Sequence, residues 1–544
     1  MKKLLTLFLI LLFTLTTYSQ VSKIKSFTPD STEFFNEMES FLRASRDGDG
    51  KYIMDEFSWQ WYGGKFSDEQ RKDVYRIANL MLSNKKKAFP DFSNYIKTIS
   101  FFVNSKYQTE SSFFSWQKIL EKLILGEATS KSASTARKQF VDYLQACNDL
   151  FEKNALYSSA ATEWKSNNSN YTFGFDSLPF IEFEALNLTC YSKGDSAVIF
   201  DTRGRYYPTE EIWYGEGGKI TWERAGFPSD SVYAVIDDKY NIHLKSPQYE
   251  VNNVTFYDLY YFDEPMKGDV REKVLANITE EKATYPRFQS ANARLQIKQI
   301  VDGVDYIGGF ALHGNEVIGR GAGEDQAHVI FYRKELPFVK MSSQAFIIKP
   351  DRIVSENSSF TMYLKEDSIF HPGLIFKFFF DKRQLNLIRD NKGLKKTPYS
   401  NSYHKIDMDF EYLTWAVDSP MVQFRNLVGG TKTDAMFISQ DFFRMDAYMS
   451  FLGTGTQHPL YALRVLTHKL DTNFITLSQL ANHMRYSIEQ LEAFLLDLSY
   501  KGFIIYDYEN KTFIVKDKLK NWVSASGGNI DYDVIGFYSN TKSP

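Results

Sequence analysis

Two histidines and three aspartates fall in two short stretches of the chain: Asp367 and His371 in the first, His404, Asp407 and Asp409 in the second. Imidazole nitrogens and carboxylate oxygens together can ligate zinc or run general acid–base catalysis. That chemistry requires the stretches 363–372 and 403–409 to meet in space. Histidines at strand ends beside Pro372 and Tyr403 also suit turn hydrogen bonds. A second constellation follows calcium-loop spacing. Asp47, Asp49 and Glu56 would be oxygen ligands at loop positions 3, 5 and 12, with Gly50 making the turn at position 6. Ser45 stands where the first aspartate is expected, Tyr52 replaces a small aliphatic residue, and no second loop pairs with it. A polar turn between two helices is the competing reading. A third set, Glu210, Glu211, Trp213, Tyr214 and Trp222, offers an aromatic sugar platform beside a carboxylate pair. Aromatics on alternating strand positions serve equally as core or cross-strand pairs.

Motifs that would fix a reaction are missing from the sequence. There is no HExxH, no Gly-x-Ser-x-Gly and no phosphate-binding Gly-x-x-x-x-Gly-Lys-Ser/Thr. The glycines of 215–218 precede a strand pattern rather than a helix, a poor cradle for phosphate. The sequence therefore assigns no catalytic residue and no cofactor, with calcium at Asp47, Asp49 and Glu56 left as the open case.

The elements that must carry these residues follow from periodicity. From 31 to 153 apolar residues recur at helical spacing. Ser67 and Gln70 form a capping box ahead of Val74, Ile77, Ala78 and Met81. Ser111 or Ser112 opens a helix that Gly126 closes. Such helices with short connections predict an antiparallel bundle or hairpin array over 24–165. The polar run 166–170 reads as a linker. Alternating patterns such as 181–185 and 219–223 then predict a β-rich domain over 171–290, and a second β-rich region over 291–455. Short strands with glycine-rich turns and no helices between them predict a sandwich, a jelly roll or a β-solenoid. The apolar run 374–380 reads as one of these strands. Cys147 and Cys190 are the only cysteines. Cys147 sits at core spacing with Phe140, Leu144 and Phe151, and a bond between the two is the minor alternative.

Residues 456–522 form the best-defined module. A helix over 459–470, a second opening at Thr476, a third capped by Ser487 and Gln490, and a hairpin of 503–506 with 512–515 follow in order. This order resembles the winged-helix fold. That resemblance implies nucleic-acid binding in many members, but the third helix here carries Glu489, Glu492 and Asp497, which phosphate would repel. A packing or protein-interaction role is expected instead. Past the wing, 523–544 begins a further alternating segment with no evident partner, which reads as a chain cut short. The fold class expected overall is α+β multidomain.

At the N-terminus, Lys2 and Lys3 precede an apolar run over 4–15, and small residues Thr17 and Ser19 precede Gln20. This is the plan of a secretory signal over 1–19, too short to span a membrane. No cysteine follows it to carry a lipid. Cleavage removes two lysines, leaving 62 basic against 67 acidic residues, a charge of about −5. No basic field exists to attract nucleic acid or anionic lipid. In aromatic content, with 46 Phe and 34 Tyr, and in its signal ending Ser-Gln, the chain resembles large uncharacterised exported proteins of Bacteroidota. The expectation is a non-enzymatic structural or interaction protein of the cell envelope. It would be periplasmic, associated with the outer membrane or secreted, have other envelope proteins as partners, and have no membrane span after signal cleavage. An extracellular glycan-binding protein or carbohydrate-active enzyme is the alternative.

Overall fold

The computed structural model describes residues 24–45, 50–105, 108–126, 133–275, 279–321, 325–390, 393–426, 435–452, 457–508, 510–534 and 536–539. The expected signal segment over 1–19 and the pair Asp47 and Asp49 lie outside them. The chain is α+β: a helical region over 31–153, then a large antiparallel β region. It divides into two compact units. One comprises Met1–Phe256 with Asp269–Pro286, the other Tyr257–Gly268 with Arg287–Pro544.

Among the described residues, the first unit begins with the helices α1 (Ser31–Arg43), α2 (Gly50–Tyr62), α3 (Asp68–Ser83), α4 (Ser93–Asn104), α5 (Glu110–Leu125) and α6 (Ala133–Lys153). Their ends follow local chemistry. The expected capping box at Ser67 and Gln70 is present, and Gly126 closes α5 at φ 74°. The start of α5 differs from expectation. Thr109 is the cap, accepting the Ser112 N–H, because this places Glu110 in the positively polarised first turn. Phe34, Trp61, Tyr95, Phe102 and Trp116 fill the helical core.

The run 166–170 is a tied turn rather than a linker. Ser166 donates to the Asn168 carbonyl at 2.7 Å, Asn168 donates to the Ala185 carbonyl at 2.7 Å, and Ser169 reaches Asn154 at 2.9 Å. Helices and strands therefore share one core, with Phe151 stacked on Tyr171 and Phe102 against Phe173. The strands Glu163–Ser166, Pro179–Ser192, Asp195–Tyr207, Ile212–Glu216 and Lys239–His243 pair antiparallel in that order. The long hairpin turns at Lys193 and Gly194, both at positive φ, the requirement of a two-residue type I′ turn.

The second unit is built on the antiparallel hairpin Arg352–Leu364 with Asp367–Phe379. The strand Asp367–Phe379 also pairs with Gln384–Ile388 and Tyr399–Asn401. Tyr399–Asn401 continues to Ile406–Asp409 and then Ala435–Ser439. The last strand, Gly536–Ser539, pairs with Ala435–Ser439, so the C-terminal β segment does have a partner. Between them stand α7 (Met445–Ser450), α8 (Pro459–Leu470), α9 (Leu477–Met484), α10 (Ile488–Tyr500) and α11 (Asp517–Ser526). A small sheet joins them, with Thr512–Val515 between Phe474–Thr476 and Ile504–Asp507. Leu463, Leu491, Leu495, Phe503 and Trp522 form the core of this module. Helix α11 takes residues 523–526, which the sequence assigned to a new β segment. No helix among the described residues is long and apolar enough to cross a membrane.

Cys147 and Cys190 are both free and buried. The alternative of a bond between them is not realised: Cys147 lies on α6, and Cys190 lies on the strand Pro179–Ser192, opposite Trp164 and Ala197. Trp116 donates its indole N–H to the Cys147 sulfur at 3.4 Å. Burial pushes both thiols up to about 12, far from the thiolate form that reacts. In native protein neither cysteine should react with a thiol-specific disulfide reagent at pH 8. Both should react once the chain is unfolded without reductant, read as two released chromophores per chain.

Candidate functional site

The β-pairing of the second unit places the two histidine and aspartate stretches on either side of the strand Tyr399–Asn401, which pairs with both. Strand alternation then separates their side chains. Ser400 faces Asp407 across the ladder and Tyr399 faces Met408, so Asp407 and Tyr399 point to opposite faces. His371 lies on the Tyr399 side, with ring centroids 4.7 Å apart. It is fully buried and both its nitrogens are taken. Gly373 donates its N–H to Nδ1 at 3.1 Å, which leaves Nε2 protonated and donating to the Thr397 carbonyl at 2.7 Å. Burial, aided by the Arg389 charge, holds its pKa down to about 3.

The other members of the set have separate engagements. Asp367 accepts from Ser402 at 2.9 Å, Asp409 forms an ion pair with Arg389, and exposed His404 lies edge-on to Tyr403. The five residues do not converge on one centre. Among the described residues no group of three or more His, Cys, Asp or Glu could hold a metal ion. In the calcium-type loop, Asp47 and Asp49 lie outside the described residues. Gly50, expected in the turn, is the first residue of α2, and Glu56 accepts from Tyr52 on the same helix at 2.8 Å.

Asp407 is the most heavily engaged residue of the set. Lys518 donates to its Oδ2 at 2.7 Å, Lys516 to its Oδ1 at 3.2 Å, and Gln440 to Oδ1 at 3.4 Å. Burial alone would raise this carboxyl, but Lys518 and Lys516 outweigh it and hold it below the usual range. Burial lowers Lys516 despite Asp407. Gly502, just after α10, sits at φ 76° against this cluster. A Cβ there would fall 2.8 Å from Asp407 Oδ2. The lysines follow the hairpin of the C-terminal module, so sequence proximity gave no sign of them.

In the first unit, the aromatic platform expected of Trp213 and Trp222 does not form, because both indoles are fully buried. Ile181, Tyr206, Trp213 and Ile242 are register partners across four strands, and all face the core. Trp222 packs edge-on against Phe256 at 5.0 Å. Glu211 is tied to Lys245.

The residues one step along the same strands face outward. Glu182, Arg205, Tyr214 and Asn241 make one row, and Arg203, Glu216 and Lys239 the next. A cavity of about 1070 Å³ lies over this face, with Asp176, Tyr207 and Glu210 at its edge. Tyr214 is 50% exposed and meets Tyr207 edge-to-face at 5.5 Å. Arg205 donates to Glu182 at 2.8 Å, Arg203 to Glu216 at 2.8 Å, and Tyr207 to Asp176 at 2.8 Å. The Arg203 hydrogen bond and charge hold Glu216 below its ordinary pKa. Burial raises Asp176, but hydrogen bonds from Leu178, Tyr207 and Ser177 more than reverse it. The face is thus a dense set of fixed donors and acceptors around two tyrosines. Of these, the sequence singled out Tyr214 and Glu210 alone.

A further charged group of this unit also escaped notice. Arg224 bridges Asp195 at 2.5 Å and buried Glu272 at 2.8 Å, and burial pushes Glu272 up to about 7 despite that partner.

No protein-family model, no curated protein and no solved structure matches the chain.

Two outcomes follow from these contacts. Replacing Asp407 leaves buried Lys518 and half-buried Lys516 without their counter-charge, so Asp407→Asn should lower unfolding free energy by about 3–5 kcal/mol, read from urea unfolding. His371 gives a pH dependence. Unfolded, an imidazole gains its proton near pH 6.5; folded, this one resists to about 3. Its stabilising contribution is complete above pH 6.5 and is lost as pH falls toward 3. His313, lowered to about 4 chiefly by burial, adds the same sign. Between pH 6.5 and 4.5 the His371 contribution should fall by about 2–3 kcal/mol. His371→Asn should remove that part of the pH dependence.

Proposed function

We propose that this is an exported, non-enzymatic structural or interaction protein of the bacterial cell envelope. Its binding surface is the outward sheet face around Tyr207 and Tyr214. The observation that carries this reading is the 1070 Å³ cavity over that face, with the fixed Arg205–Glu182 and Arg203–Glu216 ion pairs in its lining. Fixed, paired charges favour recognition of a partner over proton transfer. The residues that invited a catalytic reading are spent elsewhere: His371 on two backbone groups, Asp407 on two lysines. The N-terminal Lys2, Lys3 and apolar run support export, to the periplasm, the outer membrane or the medium.

Residues 459–522 are read as a winged-helix-like module that serves protein contacts. The order of helix, strand, two helices and hairpin supports this, as do Glu489, Glu492 and Asp497 on its third helix. Phe474 and Ile514, register partners on the small sheet, are 53% and 43% exposed, which fits a protein-contacting wing better than a nucleic-acid one.

The experiment is cross-linking of the native envelope fraction, with the partner identified and then purified. Binding of that partner should weaken at least tenfold in Tyr207→Ala/Tyr214→Ala. Undiminished binding would count against the proposed face.

A glycan on the same face is the second reading, favoured by the Tyr207–Tyr214 pair standing among Asp176, Glu182 and Arg205. Glycan-array binding by the mature chain that disappears in Tyr214→Ala would favour it over a protein partner.

A further inference from the structure

The second unit holds a cavity of about 330 Å³ beside the Asp407 cluster. Its size falls within the range of small-molecule sites. The apolar walls combine aromatic and aliphatic side chains, among them Phe442, Phe451, Phe503 and Trp522 with Met436 and Ile438. Phe451 meets Phe503 edge-on at 5.4 Å, Phe503 meets Trp522 at 4.8 Å, and Phe442 closes another side. The Trp522 indole N–H is fixed on the Phe442 carbonyl at 2.8 Å, so it is not offered to a ligand.

The polar lining is concentrated in Lys518, Lys501, Asp407 and Asp409, with Ser450 and Tyr500 beside them. Charge does not balance here. Asp409 is matched by Arg389, and Lys501 by Asp497 at 2.7 Å. Asp407 faces two lysines, Lys516 and Lys518. One positive charge is left over, and the lysine that borders the cavity is Lys518. That ammonium spends two of its three N–H groups, on Asp407 Oδ2 at 2.7 Å and the Lys501 carbonyl at 3.0 Å. Its side chain is 8% exposed, so water offers little replacement for the third. The Lys501 ammonium stands 4.3 Å from the Phe451 ring centroid, a second cation on the same lining.

We propose that this cavity binds a small amphiphilic monocarboxylate, with its carboxylate on Lys518 and Lys501 and its apolar body between Phe451, Phe503 and Trp522. A single negative charge answers the single surplus positive one. A dianion such as a phosphate monoester would face Asp407 and Asp409 with one charge uncompensated. An uncharged apolar ligand would leave the cationic surplus unanswered.

Calorimetry on the mature full-length chain tests this, with decanoate and 1-decanol as probes. Decanoate should bind stoichiometrically, and 1-decanol at least tenfold more weakly. Lys518→Met should reduce decanoate affinity at least tenfold and leave 1-decanol unchanged. Because Lys518→Met also disturbs Asp407, two variants outside that ion pair accompany it. Lys501→Gln should weaken decanoate several-fold. Ala447→Phe, which fills the lining of the cavity, should abolish binding of both probes. Trp522 fluorescence gives a second readout of occupancy. Absence of decanoate binding to the wild type, equal affinity for the two probes, or decanoate binding unaffected by Ala447→Phe would each overturn the proposal.

Discussion

A carboxylate removed from water costs several kcal/mol unless cations and hydrogen bonds replace its hydration. Asp407 is 3% exposed and is stable as an anion only because Lys516 and Lys518 reach it from more than a hundred residues further along the chain. This requirement joins the strand Ile406–Asp409 to the C-terminal module. Gly502 must lack a side chain so that the end of α10 can lie against the pair. Lys518 in turn donates to the Lys501 carbonyl, tying α11 to the end of α10. Ser400 and Gln440 complete the arrangement, each bonded to the other and to the cluster. The same three charges set the surplus on which the small cavity's proposed ligand would depend.

That physics explains why residues suited to chemistry are not available for it. Catalytic acids and bases need a partner in substrate and a pKa near the working pH. His371 has two backbone partners and a pKa near 3, so it stays neutral and keeps its place in the core. Asp409 is spent on Arg389. The outward face in the first unit is the contrasting case. Its pairs Arg205–Glu182 and Arg203–Glu216 are solvated, and Tyr207 and Tyr214 are partly open.

Local features were readable in advance where their chemistry is local. The boxes at Ser67 and Ser487, the glycine stop at 126 and the hairpin strands of the last module all depend on residues within a few positions. The phase of alternation was harder. Trp213 and Tyr214 are neighbours on a strand and therefore face opposite sides, so they could never have shared a platform. This much the strand pattern alone implied. Which of the two faces solvent depended on Ile181, Tyr206 and Ile242 across the sheet. The partners of Asp407 were beyond reach, since nothing near 407 signals lysines at 516 and 518. The polar run 166–170 looked like a linker because its Ser and Asn side chains bond to backbone and to side chains elsewhere, contacts that composition does not show. The Thr109 start of α5 turned on a choice among three hydroxyl-bearing caps within four positions, Thr109, Ser111 and Ser112.

The claim that one buried ion cluster fixes the C-terminal module to the β region is tested most directly by native-state hydrogen exchange, comparing the wild type with Asp407→Asn. The amides of 399–409 and of 517–526 should open with the same free energy in the wild type, and both should lose protection by the same amount in the variant. Loss of protection confined to 399–409, with 517–526 unchanged, would contradict it.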